Sequence, residues 1–244
     1  MPILFNNTKF NLPQSANWLC LELPATEYKE IWDMQLGLAT ARKENILKTD
    51  MVIILEHLPV FTLGRRGGLK NLIVSENFLK NKGIPIVHVE RGGDITFHGP
   101  GQIVVYPIIS LIKAKLKVVE YVEKLEEIMI RTVAAWGIKA ERNPVNRGVW
   151  VGKNKLGSLG IAVRRGISFH GFALNVNIPL EPFSWINPCG LQGVGITSLS
   201  EEINKDVPVI QVQNILKSEL EFVFGVALTC TDLSELQRKI GWLS

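Results

Sequence analysis

The chain has 244 residues, 46% of them hydrophobic, enough to fill one large core or two small ones, so a folded globular protein is expected. A net charge of +4, carried partly in scattered pairs (Arg65 and Arg66, Arg164 and Arg165) with no aromatic-interleaved basic stripe, argues against a nucleic-acid partner and is compatible with an acidic protein partner. No apolar stretch approaches the roughly 18 residues that span a bilayer, no basic segment leads into an apolar one at the N-terminus, and Cys20, Cys189 and Cys230 lack disulfide-framework or zinc spacing.

A cytoplasmic protein with free thiols, no membrane partner and no metal is therefore expected. No repeat, low-complexity stretch or linker divides the sequence, and one domain over 1–244 is the simpler organisation.

In chain order, Trp18 to Leu23 reads as a strand, and Thr26 as the N-cap of a helix running to about Lys48. Met51 to Glu56 is a short β-branched run, expected to be a buried strand. After a loop over Gly64 to Gly68, Ser75 caps a short helix that stops at Gly83, and Ile84 to Val89 alternates like a strand. Gln102 to Ile109 is strand-like, and Val118, Val122, Leu125, Met129, Val133 and Trp136 trace one helical face that ends at Gly137. Val149 to Val151, Leu156 to Val163 and Ser168 to Val176 read as an antiparallel meander. A helix with Val212, Leu216, Leu220 and Val223 on one face precedes a short strand near Ala227 to Thr231 and a terminal helical turn. Hairpin strands separated by helices predict an α/β (α+β) fold with a mixed, largely antiparallel sheet and packed helices.

Three segments carry chemistry. From Arg91 to Gln102, four glycines crowd a stretch that would otherwise be strand, which permits either close approach of a ligand or a bulge-and-turn at a sheet corner with His98 bonded locally. No Gly-Lys-Ser/Thr follows, and no helix opens there, so neither a P-loop nor a dinucleotide fingerprint is present. In Asn187-Pro188-Cys189-Gly190, proline and glycine bracket a cysteine in a turn, where a thiol is more accessible than in a core. Cys20 and Cys230, beside leucines, read as packing residues. In Lys155 to Gly160 a lysine opens a returning strand and shares a face with Gly157 and Leu159 under period-two alternation, whereas Lys153 reads as a turn lysine in water.

Taken together, Glu56 to Gly64, Arg91 to Gln102, Lys155 to Gly160, His170 to Val176 and Ile186 to Gly190 resemble the octanoyltransferase family, in family order over about positions 18 to 200. The resemblance implies a fold related to biotin and lipoate protein ligases. It implies Cys189 as the acyl-accepting nucleophile and Lys155 as the residue that activates it. The substrate wall it implies comprises Arg91, Gly92, Gly93, Asp94, Ile95, Thr96, Phe97, His98, Ser158, Leu159, Gly160, Gly171, Phe172 and Ala173. Phe97 stands where the family often has tyrosine, which removes one hydroxyl.

The donor so implied is octanoyl-acyl carrier protein. The implied acceptors are the lipoyl domains of 2-oxoacid dehydrogenase E2 subunits and the glycine cleavage H protein, with no cofactor required. Arg65, Arg66, Arg164 and Arg165 are the candidates for meeting an acidic carrier. Kinship with the ligases supplies the competing expectation, an ATP-dependent lipoate or octanoate ligase or related amidotransferase, which has no need of a cysteine in the turn. A carrier-binding protein without catalysis is the remaining alternative.

Overall fold

The structure, a computed structural model, describes residues 16–187 and 195–241. Its strands are β1 (Ala16–Glu22), β2 (Met51–Leu55), β3 (Val60–Leu63), β4 (Ile86–His88), β5 (Ile95–His98), β6 (Gln102–Ile108), β7 (Glu141–Arg142), β8 (Val149–Val151), β9 (Asn154–Arg164), β10 (Ile167–Asn175), β11 (Gly195–Ile196) and β12 (Val226–Thr231). The helices are α1 (Tyr28–Lys43), α2 (Glu76–Asn81), α3 (Val118–Ala134), α4 (Leu199–Ile203), α5 (Val209–Phe224) and α6 (Leu233–Ile240).

The large sheet runs β12-β1-β2-β6-β10-β9-β8-β7, with β11 beside β9, and a smaller sheet runs β4-β3-β5. The large sheet is mixed: β1 is parallel to β12 and β2, whereas β2-β6, β6-β10, β10-β9, β9-β8 and β8-β7 are antiparallel. Its central strands are apolar on both faces because helices cover both sides. Val52, Ile54, Ile103, Val105, Phe172 and Leu174 meet α3 and α5. Their neighbours Met51, Ile53, Leu55, Val104, Tyr106 and Ala173 join the core beneath α1 and α6.

Helix α3 forms where the 3.6-residue apolar period predicts it, and Glu120 closes its first turn by accepting from the Lys117 backbone N–H at 2.9 Å. It buries Tyr121, Leu125, Ile128, Met129 and Val133 completely, each contributing roughly 1.5–3 kcal/mol relative to exposure before the entropy of ordering is subtracted. Glu126 on the same helix is equally buried, a position that apolar periodicity gives no reason to expect for a carboxylate.

Several expectations need correction. Thr26 is not an N-cap: its hydroxyl donates to the Pro24 carbonyl and its backbone forms a bridge with His57, so α1 begins only at Tyr28, after an uncapped Glu27. The helix stops at Lys43 rather than near Lys48, and the chain turns at Asn45 with φ 61°. Cys20 is buried, but Cys230, its register partner on edge strand β12, is exposed and does not pack. Strand β3 forms where the apolar pattern predicts no element, and β5 forms within the glycine-crowded stretch. Both mix polar and aromatic residues, and their short apolar alternation is obscured by glycine-rich flanks. Among the described residues no helix is long and apolar enough to cross a membrane.

Candidate active site

Strands β5, β9 and β10, the loop preceding β5 and the start of α1 surround one cavity. Its lining includes Lys155 and every residue of the expected substrate wall except Gly92 and Phe97. Gly92 lines an adjoining cavity that also reaches Lys155, Leu159 and Gly160. The Phe97 ring instead packs 5.1 Å from Phe61 and 5.6 Å from Phe183 in the small-sheet core. The arginine pairs at 65–66 and 164–165 are exposed, and Arg66 lines the adjoining cavity.

The wall is assembled by backbone and a buried guanidinium. Arg91 donates to the Thr62 carbonyl at 2.8 Å, to its hydroxyl at 2.8 Å and to the Asp94 carbonyl at 2.7 Å, tying the 91–94 loop to β3. Asp94 accepts from the Ile95 N–H at 2.7 Å and from the Asn71 amide at 2.6 Å. A polar relay continues inward. With Oγ1 already accepting from Arg91, the Thr62 hydroxyl hydrogen is left for His98 Nε2 at 3.4 Å, while His98 Nδ1 donates to Gln102 Oε1 at 2.7 Å. Gln102 donates to Asn175 at 2.9 Å, whose own amide reaches the Thr197 carbonyl at 2.9 Å. His98 is therefore bonded locally, as one of the two readings of the glycine-rich stretch required.

Gly171 adjoins the cavity for a different reason. A Cβ there would lie 2.0 Å from the Val105 carbonyl oxygen, so the glycine lets β10 close against β6 directly after His170, which is held at φ 54°. Gly157 does not open the substrate side at all: a Cβ would meet Met129 Sδ at 2.6 Å, which makes it a packing position under α3.

Lys155 is 4% exposed, unlike the exposed Lys153. Its Nζ donates to Asn146 Oδ1 at 2.8 Å and lies 5.4 Å from the Trp150 ring. Its carbonyl accepts from the Thr197 N–H at 3.0 Å, and Ile196 on β11 pairs with it. Cys189 lies outside the described residues. The elements on either side of that segment nevertheless both reach the cavity, through Phe183 before it and Ile196 after it.

Sequence reasoning missed Tyr28, Tyr106 and Asn146, and gave His57 no role. Asn146 carries no motif, and its side chain meets Lys155 from nine positions away. Tyr28 Oη approaches His170 Nδ1 at 3.5 Å across 142 positions, a proximity no local pattern signals.

Behind Tyr106 of the cavity lining, His57 Nδ1 donates to the Thr26 carbonyl at 3.0 Å and Nε2 accepts from the Tyr106 hydroxyl at 2.8 Å. Burial pushes His57 down from 6.5 to about 4 and His98 to about 3, and also lowers His170, so all three are neutral at pH 7. Unfolding releases these rings to their ordinary basicity, so the unfolded chain binds more protons below about pH 6.5 and stability falls as the pH drops. For His57 alone the loss between pH 6.5 and 4 is on the order of 3 kcal/mol. His57 alone should therefore lower the melting temperature by roughly 6–12 °C over that interval. His57→Gln should be less stable at pH 7 and lose less on acidification. Calorimetric scans of both proteins at a series of pH values check this, and parallel slopes would contradict it.

Among the described residues no group of His, Cys, Asp and Glu is arranged to hold a metal ion. The family model for the lipoyl protein ligase A/B catalytic domain matches residues 27–221. An octanoyltransferase from Desulfotalea psychrophila is 49% identical over 207 residues, covering 84% of this chain and 93% of its own length. Another, from Syntrophobacter fumaroxidans, is 45% identical over 204 residues, covering 84% and 89%. The solved bi-partite lipoate protein ligase from Thermoplasma acidophilum superposes with a TM-score of 0.74 at 15% identity, covering 93% of this chain and 91% of that one, a likeness of fold.

Proposed function

The chain belongs to the lipoyl protein ligase A/B catalytic domain family and is an octanoyltransferase, and from that premise we propose that it forms an octanoyl thioester on Cys189 with Lys155 as the proton-transfer partner. The donor in this reading is octanoyl-acyl carrier protein. The acceptor is a lysine amine of a lipoyl domain, in E2 subunits of 2-oxoacid dehydrogenases or in the glycine cleavage H protein. The pairing of β1 with β12 supports treating the whole chain as one catalytic domain.

The observation that carries the reading is Lys155, a nearly buried lysine on the wall of a largely apolar cavity, next to the strand that follows the Cys189 segment. A free cysteine with pKa about 8.5 is only a few per cent thiolate at neutral pH, and a neighbouring cation favours the anion. The sulfur attacks the donor thioester carbonyl. As the tetrahedral intermediate collapses, the carrier thiolate leaves and takes a proton from the Lys155 ammonium. Neutral Lys155 then accepts a proton from the incoming lysine, an amine with pKa near 10.4 that cannot attack as a cation. That amine displaces Cys189 from the acyl carbon and its second proton passes to solvent, which leaves the amide and regenerates the thiolate beside the ammonium.

Ile95, Val104, Leu159, Phe172 and Ala173 line the chamber for the acyl tail. Burying about seven methylene-sized groups at about 0.8 kcal/mol each contributes roughly 5 kcal/mol of binding.

The reaction is close to thermoneutral in its first half and downhill in its second. Purified protein mixed with octanoyl-acyl carrier protein and a lipoyl domain should therefore transfer octanoate at the same rate with or without ATP. Transfer that appears only when ATP is added would overturn the proposal in favour of an adenylating ligase.

A further inference from the structure

We infer that Glu126, on α3, is a positioning residue that holds the Lys155 ammonium in place through the backbone at Gly148, an inference that rests on the Cys189–Lys155 reading. Glu126 is fully buried, yet its partners all belong to the 142–148 segment that wraps the end of Lys155. Its Oε1 accepts from the Gly148 N–H at 2.9 Å, and its Oε2 pairs with Arg147 at 3.1 Å and stands 3.6 Å from Arg142.

Gly148 is the contact between that clamp and the lysine. It sits at φ 127°, and a Cβ there would fall 2.7 Å from Lys155 Cε and 3.3 Å from Nζ, so bare backbone packs against the side chain. Two residues earlier, Asn146 Oδ1 takes the Nζ hydrogen bond, and Asn143 Oδ1 holds that turn by accepting from the Val145 and Asn146 N–H groups. One buried carboxylate thus fixes the loop that supports and hydrogen-bonds Nζ. A hydrophobic side chain of similar volume would hold α3 in the core at least as well as a desolvated carboxylate, so packing alone does not account for the charge.

The other charged groups lining the two cavities that meet at Lys155 are Arg66, Arg91, Asp94 and Arg147. Asp94 is engaged by Asn71 and the Ile95 N–H, and Arg147 by Glu126.

The test is the single-turnover rate of Cys189 octanoylation between about pH 6 and 9.5, measured with the melting temperature. Glu126→Leu fills the same space without the acceptor. It should fold, acylate about tenfold more slowly than wild type at pH 7, and approach the wild-type rate near pH 9, where a free thiol ionises unaided. Glu126→Gln, whose amide oxygen can still take the Gly148 N–H, should stay near the wild-type profile. A Glu126→Leu protein with the wild-type profile, or slowed equally at every pH, overturns the inference.

Should Glu126→Leu not fold, Glu126→Met, which also fills the space but offers the Gly148 N–H no oxygen, takes its place, and it must give an alkaline shift for the inference to stand. Wild-type protein that forms no adduct on Cys189 removes the underlying reading as well, whereas a wild-type adduct with unshifted variants removes only the role of Glu126.

Discussion

Cys189→Ala should lower octanoyl transfer to a lipoyl domain by on the order of 10⁴- to 10⁶-fold, because it removes the nucleophile that divides one difficult exchange into two easier ones. The loss should fall on turnover rather than on donor binding, since the apolar chamber that takes the tail is built from β5, β6, β9 and β10. Cys189→Ser is the sharper variant. A hydroxyl of the same shape but far weaker acidity cannot become an anion beside one ammonium at pH 7, so transfer should remain severely impaired. Steady-state transfer assays, with donor binding measured separately, check both. A Cys189→Ala protein within tenfold of wild type would show that no covalent intermediate is needed.

Lys155→Ala should slow acylation of Cys189 at pH 7 by about 10²- to 10⁴-fold, the usual contribution of a positioned acid–base group. Lys155→Arg separates the two jobs assigned to this side chain. A guanidinium keeps a positive charge beside the sulfur but neither releases nor accepts a proton near neutrality. The thiolate should therefore persist in the arginine variant while proton delivery to the leaving carrier thiol and removal from the acceptor lysine both fail. Rapid-quench measurement should show the second half-reaction, discharge onto the lipoyl domain, suffering more than the first. Little loss in either half would mean that charge placement alone is what Lys155 supplies. The packing around the residue explains why even a conservative change is expected to matter: Gly148, Asn146 and the Trp150 ring leave Nζ little freedom.

The sheet was legible where apolar residues follow a regular period. The meander of β8, β9 and β10 and the amphipathic faces of α3 and α5 are written in local spacing, and they are the elements on which the site rests. Cavity-facing strands were harder to read. In β5, Ile95-Thr96-Phe97-His98, Phe97 turns into the small-sheet core while His98 joins the polar relay to Gln102, so demands from two sides blur the alternation.

Arg91 to His98, Ser158 to Gly160 and Gly171 to Ala173 read as one wall through the resemblance, and the fold brings nearly all of them to one cavity. The residues that escaped notice work across long separations. Tyr28 meets His170 only because α1 packs on the sheet face opposite α3, and Glu126 reaches Gly148 only because α3 lies over β8 and β9. Gly157, which period-two alternation puts on the face of Lys155, packs under Met129 instead. A leucine neighbour makes Cys230 read as a packing residue, although edge strand β12 leaves it in solvent.

The covalent intermediate is tested most directly by weighing the intact protein after mixing it with octanoyl-acyl carrier protein in the absence of ATP, digesting it to locate any adduct, and then adding a lipoyl domain. The account predicts one octanoyl group on Cys189, sensitive to thiols as a thioester must be, that disappears as the lipoyl domain gains the same mass. Full transfer to the lipoyl domain with no adduct on Cys189 at any time, or an adduct there that the lipoyl domain never discharges, would contradict it.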